Sequence, residues 1–345
     1  MNAHHQQPFD EADGARVIPI RPGAAAPEAA SGPASGHGPA RGSEAASGPV
    51  PESASGESGA SAPPSSDRNP VERALASGLA FLRRRMTGEY EVDEFGFDPE
   101  LNSSVLLPVA RALYERWFRV ELLGLENVPA KGGALLVANH SGTVPLDGIM
   151  LSVATHDHLD RPLRLLGADL IYQVPVLAHL ARKAGHTLAC PADAARLLAK
   201  DELVGVFPEG FKGIGKPYGD RYKLQRFGRG GFVETALRAD VPIIPCAIVG
   251  AEEIYPKIAD LKPLARLLGL PYFPVTPTFP LLGAAGLVPL PSKWLIRFGE
   301  PMRLADYGPE AADDPMTVFN LTDHVREVVQ QMLYETLLRR GHPFL

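Results

Sequence analysis

The sequence has little cysteine, no excess of positive charge and no long apolar run free of proline. Two cysteines, Cys190 and Cys246, cannot build a disulfide framework, and neither sits in a zinc-binding spacing. A reducing compartment is the expectation. The first ten residues lack the charged and then apolar order of a secretory leader. The long uncharged stretch Leu267 to Pro291 carries Pro271, Pro274, Pro277, Pro280, Pro289 and Pro291. Prolines at that density remove too many backbone hydrogen bonds for a membrane-spanning helix, which leaves contact with a membrane surface open.

Composition divides the 345 residues in two. Residues 1–70 are mostly Ala, Ser, Gly and Pro, and no run in them supplies a face to pack. Such a segment buries too little apolar surface to offset its ordering entropy, so it reads as a disordered tail. It holds eight acids against four arginines, a net −4 of the chain's −6. The body is therefore close to neutral at −2, which excludes the broad cationic surface of a general nucleic-acid binder. The remaining 275 residues are enough for one sizeable core.

From Pro70 the pattern is that of an amphipathic helix, with Leu75, Leu79, Phe81 and Leu82 near one side and Arg83, Arg84 and Arg85 in the last turn. A second helix is expected over about Leu106–Phe118. Beyond it, short apolar runs alternate with helical ones. Strands are expected at 134–138, 163–166, 203–207, 242–249 and 293–298. Helices are expected at 145–154, 174–183, 191–199, 231–238 and 318–338. That alternation predicts a single α/β domain with a mostly parallel sheet flanked by helices, a helical lead over 71–122, and the main domain over 123–345. Chemistry in such sheets gathers at the carboxyl ends of the strands.

Asn139-His140, Pro208-Glu209-Gly210 and the end of the 242–249 strand fall at those ends, and three stretches of the chain could carry chemistry. The first is Asn139-His140-Ser141-Gly142-Thr143-Val144-Pro145-Leu146-Asp147. Imidazole can take a hydroxyl proton near neutrality and a carboxylate can fix its tautomer. Seven residues of continuous helix would separate His140 and Asp147 by roughly 10 Å, so the intervening residues must turn back for the two to meet. The other reading is a buried structural histidine with Asp147 as a helix-start charge. The second segment, Phe207-Pro208-Glu209-Gly210, suits either a substrate-binding carboxylate or an ordinary strand-ending turn.

The third is a basic run, Lys212, Lys216, Arg221, Lys223, Arg226 and Arg229. It is either a phosphate-binding loop or a solvated one. The spacing Gly210 to Lys216 imitates a nucleotide-binding loop, but Pro217 stands where the metal-binding hydroxyl belongs. His156-Asp157-His158 resembles a metal ligand set and is read as a polar turn. No Gly-x-Ser-x-Gly nucleophile elbow occurs in the body.

Taken in order, these segments resemble the glycerolipid acyltransferase superfamily over about Leu123 to Pro301. Asn139-His140 with Asp147 resembles its first block, Phe207-Pro208-Glu209-Gly210 its third, and Val241-Pro242-Ile243-Ile244-Pro245-Cys246-Ala247 its fourth. The resemblance implies direct acyl transfer from acyl-coenzyme A or acyl carrier protein to a glycerolipid hydroxyl of the lysophosphatidate or lysophospholipid type. His140 would be the base and Asp147 its orienter. Asn139, Phe207, Pro208, Glu209, Gly210 and the basic run would bind substrate, with no metal or cofactor. It also implies a peripheral position at the cytoplasmic face of a membrane, where Leu267–Pro291 is either a lipid-facing element or a loop packed on the domain.

Two departures mark a divergent member. Six residues rather than four separate His140 from Asp147. The segment His186-Thr187-Leu188-Ala189-Cys190-Pro191 also lacks the family's phosphate-associated arginine. A neutral acceptor such as diacylglycerol, or a non-catalytic lipid-surface protein, is the alternative.

Overall fold

The computed structural model describes residues 70–141 and 143–344. The tail expected to be disordered lies outside them apart from Pro70, which opens the first helix. Helix α1, Pro70–Thr87, is fastened by its basic last turn, where Arg85 pairs with the fully buried Asp98 and Arg84 with Glu100. Its apolar side departs from expectation: Leu79, Leu82 and Met86 are exposed rather than packed.

Helix α2 spans 99–117 in alternating α and π turns, starting at Pro99 instead of Leu106. The earlier start has a local cause. The Asp98 side chain accepts from the Leu101 amide at 2.9 Å and Pro99 supplies a preset φ at the first helical position. Pro108, inside the helix, has no N–H to give, and the wide turn from the Leu107 amide to the Asn102 carbonyl accommodates it.

Strands β1 Glu121–Leu123, β2 Ala134–Ala138, β3 Leu163–Gly167, β4 Thr187–Leu188, β5 Leu203–Val206 and β6 Ile243–Val249 belong to one sheet. A small antiparallel pair follows, β7 Ala259–Asp260 with β8 Pro274–Val275, and then β9, Leu295–Phe298. The main sheet has the order β1-β9-β6-β2-β5-β3-β4. Its neighbours are parallel except at the β6–β9 join. The mostly parallel reading therefore holds. The two- and three-residue strands β1, β4, β7 and β8 escaped it because they are too short to show a period.

The central strands β2 and β6 are buried along their whole length, as strands covered on both faces must be. One face packs on α2, on α3 (Asp147–Leu159) and on the fully buried Trp294. Helix α4 is Pro175–Lys183. The other face packs on α5 (Pro191–Leu198), α6 (Gly231–Ala239) and the long α7 (Pro315–Arg339). Because α3 runs to Leu159, His156 and His158 lie in its last turn and not in a link. Asp157 between them is taken by Arg111 and His156, and among the described residues no cluster could hold a metal.

One buried charge ties the lead to the sheet. Arg164 of β3, 1% exposed, donates to the Gly185 carbonyl at 2.8 Å, to Asp93 at 2.6 Å and to Glu202 at 3.0 Å. It also lies over the rings of Phe95 and Phe97. Replacing it strands two carboxylates beside the core. Arg164→Met is expected to lower unfolding free energy by about 3 kcal/mol, read by urea denaturation. The same measurement on Arg238→Met, whose partner Asp313 is mostly exposed, is expected to show no change.

Candidate active site

The site forms where β2 ends. Asn139, fully buried, faces β6 and continues the sheet with its side chain: its amide nitrogen donates to the Ile248 carbonyl at 3.0 Å and its oxygen accepts from the Ile248 amide at 2.7 Å. This corrects its reading as a substrate-binding residue, because both ends of the amide are spent on the fold. The next residue, His140, emerges at the carboxyl edge with its side chain 13% exposed.

His140 Nδ1 lies 2.6 Å from Asp147 Oδ2. The same oxygen accepts from the Ser141 amide at 2.6 Å, and Oδ1 accepts from the Gly148 amide at 2.8 Å. Burial alone would raise the Asp147 carboxyl. The His140 ring and the two backbone amides outweigh it, and the net shift is downward. An ionised Asp147 accepts a proton-bearing Nδ1, which leaves the Nε2 lone pair free. Nε2 makes no hydrogen bond within the described residues and is not sealed from solvent. The Phe207 ring stacks on the imidazole with centroids 4.5 Å apart and 18° between planes.

The long spacing is solved by a pinned turn. Thr143, at φ 69°, donates its amide to the Ile214 carbonyl at 2.8 Å and its hydroxyl to the Tyr255 carbonyl at 3.3 Å. Tyr272 donates to the Thr143 carbonyl at 2.5 Å. The segment folds back onto three separate loops, and α3 begins with Asp147 beneath the ring. Its first-turn position also sets the carboxylate at a helix N-terminus, where negative charge is favoured.

Glu209 and Lys216 take on a different task from the expected one. Glu209 is 3% exposed. Its Oε1 accepts from the His140 amide at 3.0 Å, its Oε2 accepts from the Gln225 amide at 2.7 Å, and Lys216 Nζ lies 3.2 Å away. Three of the carboxylate's roughly four acceptor positions are taken inside the fold, and Glu209 holds the backbone of His140. Lys216, equally buried, also pairs with Glu252 at 3.1 Å, which removes it from the phosphate-binding run and ends its likeness to a nucleotide-loop lysine. Gly213 permits this closeness: a Cβ there would meet Glu209 Cβ at 2.7 Å and His140 Cβ at 2.9 Å.

The rest of the basic run stays at the surface. Lys212 is exposed on the short helical turn Phe211–Ile214. Arg221 stacks on Tyr218, Lys223 pairs with Asp220, and Arg226 lies over Phe319. Pro208 and Gly210 are half-buried beside Glu209, and Gly210 has φ 53°, a conformation glycine adopts without strain. A cavity of about 390 Å3 opens next to the network, lined by Lys212, Lys216, Gln225, Lys257 and Tyr272 among others. His140 itself is not in its wall.

Sequence reasoning missed Glu252 and the structural use of Gln225. The signal was present, since Glu252-Glu253 stands two residues beyond the end of the buried β6. Glu253 accepts from the Tyr222 hydroxyl at 2.8 Å and pairs with Arg340 beyond α7. Gln330 of α7 donates to the Tyr222 carbonyl and accepts from the Leu224 amide, both at 2.8 Å. The loop carrying Lys216 is thereby tied to the C-terminal helix.

The acyltransferase family model matches residues 119–249, a span that contains His140, Asp147 and Glu209. An uncharacterized protein of Mycobacterium tuberculosis is 59% identical over 278 residues, which cover 80% of this chain and 78% of that one. Residues 119–249 of this chain form a domain of the acyltransferase family. A Bos taurus protein, "DGAT1/2-independent enzyme synthesizing storage lipids", is 21% identical to the acyltransferase over 219 residues, 63% of this chain and 60% of that one. The crystal structure of the 1-acyl-sn-glycerophosphate acyltransferase PlsC from Thermotoga maritima has TM-score 0.48 and 19% identity. It covers 78% of this acyltransferase and 91% of that chain.

Burial and the neighbouring Glu209 raise the Glu252 carboxyl to about 7, more than Lys216 lowers it. The folded acyltransferase therefore holds that proton between the ordinary carboxylate range and about pH 7, where the unfolded chain has lost it. Stability falls as pH rises through this window. Between pH 4.5 and 7.5 the Glu252 contribution is a loss of about 3 kcal/mol. Urea unfolding of Glu252→Gln across that range is expected to lack this component, and parallel wild-type and variant curves would refute it.

Proposed function

We propose that this acyltransferase moves a fatty acyl group from a thioester donor, acyl-coenzyme A or acyl carrier protein, to a hydroxyl of a glycerolipid. The observation that carries the reading is the 2.6 Å contact between His140, 13% exposed, and the buried Asp147, with Nε2 making no hydrogen bond among the described residues. Nε2 takes the acceptor's hydroxyl proton as its oxygen attacks the thioester carbonyl. The C–S bond then breaks, and the leaving thiolate receives the proton back from His140. Asp147 holds the ring in place and stabilises its charged form, the role of a buried carboxylate behind a histidine base. Transfer is direct, without an acyl-enzyme. Cys246 offers no alternative nucleophile, because it is sealed in β6 and burial pushes its thiol up.

The acceptor is of the lysophosphatidate or lysophospholipid type, with the exposed Lys212 lining the cavity beside Glu209 as its cation. One observation favours a second reading, a neutral acceptor such as diacylglycerol: Lys216 is buried between Glu209 and Glu252 and is not offered to a ligand. The name of the bovine relative, which concerns storage lipids, accords with it. A screen with labelled acyl-coenzyme A against both acceptors distinguishes them.

His140→Ala is expected to lower kcat by about 10³-fold or more, and Asp147→Asn by about 10²- to 10⁴-fold, with unchanged circular dichroism. Full activity in purified His140→Ala would defeat the mechanism. Free fatty acid in place of a new ester would make the protein a hydrolase.

The reading includes a membrane surface at the cytoplasmic face. Among the described residues no helix is long and apolar enough to cross a membrane. Leu267 is 80% and Leu281 84% exposed, with Leu282, Leu287 and Val288 also exposed nearby in sequence. Apolar exposure on that scale is a feature of lipid contact. Leu267→Asp with Leu281→Asp is expected to reduce co-sedimentation with anionic phospholipid vesicles several-fold. Undiminished sedimentation would remove this segment from the interface.

A further inference from the structure

Three arginines meet at a place the proposed chemistry does not use. The loop Arg226-Phe227-Gly228-Arg229 runs against the first turns of α7, and between them lies an open cleft of about 190 Å3 lined also by Phe319, Thr322 and Arg326. The packing is close because of Gly230, at φ 89°, where a Cβ would meet Val318 at 2.5 Å and Thr322 at 2.7 Å. Phe227 is buried beneath the loop as its anchor, while the Phe319 ring is half exposed.

The charges in the cleft are incompletely matched. Arg326 pairs with Asp323 at 3.0 Å. Arg226 has only the Phe319 ring, 5.9 Å from its guanidinium, and among the described residues no ion pair is recorded for it or for Arg229. Three guanidinia against one carboxylate leave an excess of two positive charges. The N-terminus of α7 adds little, because Asp314 already takes the Met316 and Thr317 amides.

The cleft adjoins the catalytic loop. Gln225, the residue before Arg226, donates to Glu209, and the Cβ position of Gly228 lies 3.9 Å from the Pro208 carbonyl. Guanidinium forks match phosphate oxygens in pairs, and an exposed aromatic ring beside a guanidinium offers a stacking face to a base. The volume takes a phosphate with its sugar and is too small for a protein element.

We propose that the cleft formed by Arg226, Arg229, Arg326 and Phe319 binds the phosphorylated adenosine end of a coenzyme A thioester. This rests on the thioester-donor reading above and selects coenzyme A over a carrier protein. The pantetheine arm would span from the cleft across the 207–210 turn to His140.

The test pairs kinetics with direct binding. In Arg226→Gln/Arg229→Gln, KM for palmitoyl-coenzyme A is expected to rise about tenfold or more while KM for the acceptor holds. The penalty is expected to vanish with the palmitoyl thioester of N-acetylcysteamine, which carries no phosphate. Calorimetric titration with adenosine 3′,5′-bisphosphate is expected to show binding to wild type and at least tenfold weaker binding to the double variant and to Arg326→Gln. An unchanged KM for the coenzyme A donor, or equal nucleotide binding by all three proteins, overturns the proposal. So does a variant that loses only its attachment to anionic vesicles, which would make the cleft a headgroup site. Absence of acyl transfer from either thioester by wild type would defeat the acyltransfer reading instead, and the titration would still decide the cleft.

Discussion

The geometry of the site depends on one buried carboxylate. Glu209 is held at the end of β5 by Pro208 and Gly210, and it accepts at once from the His140 amide, the Gln225 amide and Lys216. Through the first contact it fixes the backbone from which the imidazole projects. Through the others it ties down the loop that carries Lys216 and Gln225. Burying a carboxylate without hydrogen-bond donors is costly, so the loop and the glutamate require each other.

The network continues inward. Lys216 lies between Glu209 and Glu252, and Glu253 joins Tyr222 to Arg340. Buried charge pairs of this kind add little to net stability, since desolvation offsets most of their attraction. Their contribution here is to position. They join the ends of β2, β5 and β6 to the C-terminal helix, so that the His140–Asp147 pair sits on elements that do not move independently. Acid–base chemistry is sensitive to misplacement on the scale of an ångström, and this arrangement limits it.

The six-residue gap between His140 and Asp147 shows how a longer loop can reach the same contact. The additional length is absorbed by fastening Thr143 to Ile214, Tyr255 and Tyr272. Asp147 then enters at the start of α3, with one oxygen shared between the ring and the Ser141 amide and the other held by Gly148. The 267–291 segment that supplies Tyr272 thus supports the site as well as carrying exposed leucines. Chemistry and surface contact are linked through one stretch of chain.

Much of this was legible before any coordinates. The alternation of apolar runs and helical periods is local and periodic, so it carried the mostly parallel sheet, its order of elements and the placing of His140, Asp147 and Glu209 at strand ends. Strands of two or three residues have no period to read, and β1, β4, β7 and β8 emerge only from pairing. The early start of α2 rests on a cap at Asp98 whose charge is balanced from α1. What the sequence determined is which residue types stand at the carboxyl edge, because hydrophobic burial along β2, β5 and β6 leaves them nowhere else to be. What the tertiary structure decided is how each is used. Asn139, Glu209 and Lys216 are polar in sequence and structural in space, because hydrogen-bond partners and desolvation come from loops far away along the chain.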